Sequence, residues 1–298
     1  MTVMASMRDI KRRKGSIQST QQITKAMKLV STVKLQRAKQ RAEQSKTYFD
    51  CMYETVNSIL KKTSGMQHRY LQPGDSTKKA VIVITSNRGL AGGYNSNIVK
   101  LITRGELKKD ELEIYSIGKK GKDSLSRYGY HIAWDGSDII EEPAYADAMQ
   151  LSARLLEDFE TGNIGEIYLA YTYFKNTVVH VPKLIKLLPV EAGADEPEVS
   201  AEKGTQDEEK KLSIPMNFEP KDEEALDLLI PKYITSLIYG ALVEAVASEN
   251  GARMQAMDSA TSNAEEMISN LTLLYNRARQ GSITQELTEI IAGAEAIS

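Results

Sequence analysis

Apolar positions over the first sixty residues recur in steps of three, four and seven. Ile10, Ile17, Ile23, Met27, Val30, Ala38, Phe49, Met52, Val56 and Ile59 fall on one thin stripe, surrounded by Lys, Arg, Gln, Ser and Thr. Gly15 is the only glycine before Leu60, and no proline interrupts. The pattern predicts a single helix, with a capping-box-like start in which Ser6 precedes "MRDI" and Asp9 follows three residues on. A helix of about 55 residues is ~80 Å long, more than a domain of this size is wide. It therefore needs a second long helix or another protein against it. The pattern supplies one from Pro231, which suits a first-turn position, to about Ala292. Along it Ala264, Ile268, Leu271, Tyr275, Ala278, Ser282 and Gln285 step by three and four. This is a coiled-coil-like seam, with small and polar residues where a stable zipper carries leucine. Two matched terminal helices around a central segment predict an antiparallel coiled coil on a globular base.

The central segment alternates. "AVIVIT" (80–85), "ELEIYSIG" (111–118), "EIYLAYTYF" (166–174) and "VVHVPKLIKLLPV" (178–190) read as strands, the last two forming a hairpin around Lys175–Thr177. Residues 94–107, a short stretch near Asp123–Tyr128, and 141–159 read as helices. Strand–helix alternation predicts an α/β sheet in mostly parallel order. Residues 191–224 are acidic, carry Gly and Pro, and predict a mobile surface loop. The expected divisions are an N-terminal coil helix at 1–62, an α/β base at 78–190, the acidic loop at 191–224 and a C-terminal coil helix at 225–298.

Composition narrows the function. The 298 residues are 26 % charged with a net charge of only −2, so the chain as a whole is no nucleic-acid binder. The single cysteine, Cys51, excludes a disulfide framework and a cysteine-based metal site. No apolar run approaches the ~18–20 residues that span a bilayer. The cationic N-terminus has no apolar stretch after it, so no secretory signal is expected. The even balance hides an asymmetry. Residues 1–46 hold twelve Lys/Arg against two acids, whereas 191–224 hold twelve acids against four lysines. Different segments should face different partners.

Two loops invite a phosphate. "TSNRGLAGGYNSN" (85–97) follows a strand and opens a helix, but lacks the lysine and the Ser/Thr of a phosphate loop and the spacing of a dinucleotide fingerprint. It reads as a tight turn at the carboxyl end of a sheet, with ligand contact the other reading. "GKKGKDS" (118–124) reads as a solvated turn, against a phosphate grip at a helix start. His68, His131 and His180 are too far apart in sequence for a metal motif. The basic "RDIKRRK" (8–14) lacks interleaved aromatics, so a solvated face or an acidic protein partner is favoured over nucleic acid or lipid. "YNRARQGSITQELTEIIAGA" (275–294) reads as a mostly polar helix, which is stable only if something encloses it.

Four separated stretches then carry a resemblance: "ITKAMKLVSTVKL" (23–35), "TSNRGLAGGYNSN" (85–97), "SENGARMQAMDSATSNA" (248–264) and "LLYNRARQGSITQELTEIIAGA" (273–294). Their order and spacing resemble the gamma subunit of the rotary ATP synthase, bacterial type. The resemblance implies a Rossmann-like α/β domain plus a long antiparallel coiled coil of the N- and C-terminal helices. It implies a central rotor shaft, itself non-catalytic and without a cofactor or metal, that couples ion flow through the membrane c-ring to conformational cycling of the catalytic beta subunits. It implies as partners three alpha and three beta subunits, an epsilon subunit and the c-ring, one copy of the shaft per complex, and a peripheral place on the cytoplasmic face of a bacterial membrane. Lys25, Met27, Arg253, Gln280, Thr284 and Glu286 match the motifs that meet beta subunits. For Arg253 and Gln280 the other reading is hydrogen bonding inside the coil, and for Met27 it is seam packing. Ala91 stands where many relatives carry cysteine, and Gly251 sits inside a long helix, where glycine costs up to about 1 kcal/mol relative to alanine. Two rivals are a nucleotide-binding enzyme with a coiled-coil arm, which lacks its phosphate motif here, and a plain coiled-coil scaffold, which would favour a leucine-rich seam.

Overall fold

The computed structural model describes residues 7–62, 68–190 and 222–295. The expected cap at Ser6 and most of the acidic segment lie outside them. The chain forms two compact units, one of residues 33–252 and one of residues 1–32 with 253–298.

The larger unit contains a five-stranded sheet. Its strands are β1 (Lys79–Ile84), β2 (Leu112–Ile117), β3 (His131–Asp135), β4 (Glu166–Phe174) and β5 (His180–Leu188), in the spatial order β3-β2-β1-β4-β5. The first four run parallel and β5 pairs antiparallel with β4, in agreement with the hairpin reading. Three helices cross over between strands: α2 (Tyr94–Thr103), α3 (Lys119–Arg127) and α4 (Tyr145–Glu160). Two more helices carry the termini, α1 (Met7–Lys62) and α5 (Asp222–Glu295).

A continuous apolar run is what a strand buried on both faces requires. Ala80, Ile82 and Ile84 of β1 pack on one face with α4 and with parts of α1 and α5, while Val81 and Val83 pack on the other with α2. The hydrophobic pattern does not predict the third strand. It lies at the sheet edge, with His131 and Asp135 exposed and the residues between only half-buried, so no alternation marks it. Helix α3 begins at Lys119, earlier than expected, and α4 at Tyr145, later, after Pro143.

Helix α5 corrects a larger expectation. It starts at Asp222, and Pro231 lies inside it rather than in its first turn. Proline forfeits one helical hydrogen bond. Burial offsets this, because Leu226, Ile230, Ile234 and Ile238 form an i, i+4 row with no exposed surface. The same helix holds an 18-residue window apolar enough to cross a membrane, but half of that window is buried in the fold.

Gly251 also has a packing reason. A Cβ there would meet the Cε1 of His180 at 2.7 Å and the Phe174 ring at 3.4 Å. Gly251→Ala is therefore expected to destabilise the fold by about 1–2 kcal/mol and so lower the thermal midpoint, despite alanine's better helix propensity. A raised midpoint in thermal unfolding would show that His180 moves aside freely.

Candidate functional site

The smaller unit pairs the start of α1 with the second half of α5. Polar contacts between described residues cross the seam. Gln21 Nε2 donates to Glu265 Oε1 at 3.0 Å, the hydroxyls of Thr24 and Thr261 lie 2.8 Å apart, and Lys28 Nζ donates to Asp258 Oδ1 at 2.6 Å. As one number rises the other falls, so the helices are antiparallel. On α5 the sequence found the seam. Ala264 and Leu271 are buried, and Ile268, Tyr275, Ala278 and Ser282 are half-buried. The positions between them are exposed, save the half-buried Thr272. Gln285 leaves the seam, being exposed.

On α1 the expected stripe holds at Ile10, Ile17 and Met27, which are buried or half-buried, but is displaced by one residue at two positions. Thr24 and Ser31 are buried, at 8 % and 2 % exposure, whereas Ile23 and Val30 are 60 % and 58 % exposed. Hydroxyl side chains are small and let two backbones approach, and Thr24 finds its partner in Thr261. The apolar side chains are left outside, joined by Leu29. Replacing either Thr24 or Thr261 by valine should cost less than about 1 kcal/mol, because the hydroxyl that remains still donates to its own helix, Thr24 to the Gln21 carbonyl at 3.0 Å or Thr261 to the Met257 carbonyl at 2.7 Å, and the double replacement should be neutral or slightly stabilising. Urea unfolding of the full chain separates these outcomes.

Beyond Ser282 every described side chain of α5 is exposed. The mostly polar helix expected here also carries an apolar row. Ile283, Leu287, Ile290 and Ile291 are spaced i, i+4, i+7, i+8 and are 48–67 % exposed. They form one apolar stripe, legible from spacing alone, without a covering element among the described residues of this unit.

The structure does not gather the six motif residues. Lys25 is exposed and Met27 half-buried, at the level of Asp258–Thr261. Arg253 is 8 % exposed, so little of it reaches the surface. Gln280, Thr284 and Glu286 are exposed, and the Thr284 hydroxyl donates to the Gln280 carbonyl at 2.9 Å. Twenty-seven residues of helix, ~40 Å, separate Arg253 from Gln280. The six are spread along a coil and do not converge on one concave site.

The glycine-rich loop lies in the larger unit, after β1. Several of its polar side chains bond within the fold. The Asn95 side chain accepts from the Ser86 N–H at 2.9 Å, the Asn87 side chain donates to the Ser137 carbonyl at 2.8 Å and accepts from the Lys119 N–H at 3.0 Å, and Tyr94 Oη donates to the Ala245 carbonyl at 3.2 Å. The loop joins neighbouring strands and α5, which is the work of a structural turn.

Comparison with known proteins now decides the family. A family model described as ATP synthase matches residues 6–297. The ATP synthase gamma chain of Lachnoclostridium phytofermentans is 64 % identical over 297 residues, covering 99 % of this chain and 100 % of that one. The chain belongs to the ATP synthase gamma-chain family. The sodium-ion-specific gamma chain of Acetobacterium woodii is 40 % identical, over 98 % of this chain and 99 % of that one. The fold is shared with a chain in the mitochondrial ATP synthase structure of Euglena gracilis (OSCP, F1 and c-ring), at a TM-score of 0.65 and 20 % identity over 98 % of this chain and 94 % of that chain. Gamma chains are non-catalytic subunits of the ATP synthase.

Proposed function

We propose that this chain is the central rotor shaft of an ion-driven ATP synthase, turning inside a ring of three alpha and three beta subunits. The observation that carries this reading, beside family membership, is the mixed coil: buried Thr24 and Ser31 and half-buried Thr261 share its seam with Ala264 and Leu271, while Ile23, Leu29 and Val30 stand outside. A coil built this way is weak alone and is supported by an enclosing protein. The terminal stripe from Ile283 to Ile291 would run in an apolar collar, where non-directional contact permits sliding. Lys25, Met27, Arg253, Gln280, Thr284 and Glu286 would make the contacts that differ between orientations. Only such differential contact can shift the populations of three otherwise equal beta subunits. The basic face from Arg8 onward would steer toward acidic partner surfaces. The α/β unit would meet the epsilon subunit and the c-ring, placing the chain on the cytoplasmic face of a bacterial membrane, one copy per complex.

The test is reconstitution with alpha and beta subunits of the same organism. One copy should join three alpha–beta pairs, and rapid multisite ATP hydrolysis should depend on it. Gln280→Ala together with Glu286→Ala should then lower turnover several-fold without releasing the chain. Failure to form a complex, with stoichiometric nucleotide binding by the chain alone, would return the glycine-rich loop to consideration as a ligand site.

A further inference from the structure

A neutral imidazole carries one N–H donor and one acceptor nitrogen, and a buried histidine ordinarily pairs both. His180, the first residue of β5, pairs neither. Its Nδ1 and Nε2 are sealed from solvent and make no hydrogen bond to a described residue. Packing holds the ring instead. Its centroid lies 5.7 Å from that of Phe174, its cross-strand partner on β4. It also lies against the bare backbone of α5 at Gly251, so close that its Cε1 would meet an added Cβ at 2.7 Å. All of these residues belong to the larger unit.

The end of the β4–β5 hairpin holds its own shape. The Asn176 side chain accepts from the N–H groups of Val178 at 2.9 Å and Val179 at 2.7 Å, and the Asn176 N–H donates to the Val179 carbonyl at 3.3 Å. The turn therefore keeps its form whether or not it rests on α5. What the His180 ring gives to that contact is apolar packing, which requires an uncharged ring.

A proton changes the balance. An imidazolium has two N–H donors and a full charge, and this site offers a partner to neither donor. Burial disfavours the charged ring, and the Thr177 carbonyl favours it less strongly, from outside hydrogen-bonding geometry. The charged groups on the surrounding elements are Lys39 of α1, Lys175 of the turn, Lys183 of β5, and Glu244 and Glu249 of α5. Lys39 stands 5.1 Å over the Phe174 ring, a cation already on that aromatic pair, and neither carboxylate offsets a charge on His180. We infer that the hairpin end is an acid-sensitive latch on α5, closed while the His180 ring is neutral and released when the ring takes up a proton. The closed form binds no proton there, so closure is fully supported above the ordinary histidine value of 6.5 and weakens as pH falls below it. Release would free the hairpin of the α/β unit from the helix that continues, from Arg253, into the coil.

Hydrogen exchange read by mass spectrometry on the full chain tests this, with parent and His180→Gln compared at the same pH so that intrinsic exchange rates cancel. At pH 7.5 the two should exchange alike. At pH 5.5, one unit below the ordinary value, amides of residues 174–185 and 245–252 should exchange about tenfold faster in the parent. Peptides from β2 and β3 should show no such difference. The His180 ring signal, one of three from histidine, should titrate below 6.5 in NMR spectra of the parent, in step with the release. The inference fails if parent and variant exchange alike at pH 5.5, if the difference spreads evenly over the chain, or if the ring titrates at 6.5 or above while the two segments stay protected. Should His180→Gln not fold, His180→Phe, which keeps a ring that cannot titrate, takes its place with the same expected outcomes.

Discussion

Gly118→Ala is expected to be among the most damaging single-methyl changes in this chain. Gly118 closes β2 at φ +102°, a backbone region that side chains rarely enter, and a Cβ there would lie 2.1 Å from the Thr85 carbonyl oxygen. No rotamer relieves that contact, because neither a Cβ nor a backbone carbonyl can swing aside on its own. Thr85 is also the junction of two strands and a helix. Its N–H donates to the Ile117 carbonyl at 2.8 Å, its hydroxyl to the Gly118 carbonyl at 3.2 Å, and that hydroxyl accepts from the Gly121 N–H at 2.9 Å. Moving Gly118 away opens all three. The φ strain and the overpacking each cost on the order of 1–3 kcal/mol. Together they remove a large part of the roughly 5–15 kcal/mol that holds a typical protein folded. Gly89→Ala is the control, since its added methyl meets nothing within 4 Å, and it should change stability by less than about 0.5 kcal/mol. Urea midpoints of the two variants measure the difference. Equal midpoints would mean that the loop after β2 yields at little cost.

The second large effect is on pH dependence, through Glu244. Burial pushes its carboxyl up from 4.5 to about 8, against a smaller opposing pull from Lys183. The folded state therefore holds a proton that the unfolded chain has released. The stability tied to that proton is fully present below the unfolded value of 4.5 and is lost as pH rises through about 8. Each tenfold gain in proton affinity on folding is worth about 1.4 kcal/mol, so the loss across this window is on the order of 4 kcal/mol. Glu244→Gln has no such proton. It should match the parent near pH 5 and exceed it at about pH 8–9, with a flatter stability curve. Denaturant unfolding at acid, neutral and alkaline pH tests this. Parallel curves for parent and variant would show that Glu244 ionises in the fold without penalty.

What was legible in the sequence was whatever rests on strong periodicity. Four strands of the sheet and the α5 seam from Ala264 to Ser282 came from spacing, because a buried face imposes its period on the chain. The edge strand His131–Asp135 did not, since it is half-buried and no face demands apolar residues. At two positions of the α1 seam the pattern misled for a related reason. Apolar residues stand beside small polar ones, as at Ile23 next to Thr24 and Val30 next to Ser31, and periodicity alone assigns the more apolar of each pair to the inside. Partners on the facing helix decided otherwise. The motif residues were named through resemblance, and spacing gave no reason to choose them, because a surface that works against another protein has no internal period to satisfy.

By itself, then, the sequence determined two long terminal helices, a mostly parallel sheet between them, a small-residue seam and the family to which the chain belongs. Each follows from local propensity, hydrophobic period or motif order, which the chain carries without folding. Tertiary structure alone decided that helix α5 runs through Pro231, that Thr24 faces inward and Ile23 outward, and that Glu244 Oε2 is buried without a partner among the described residues. Each depends on which surfaces meet, and that choice is made by burial and pairing between residues distant in sequence.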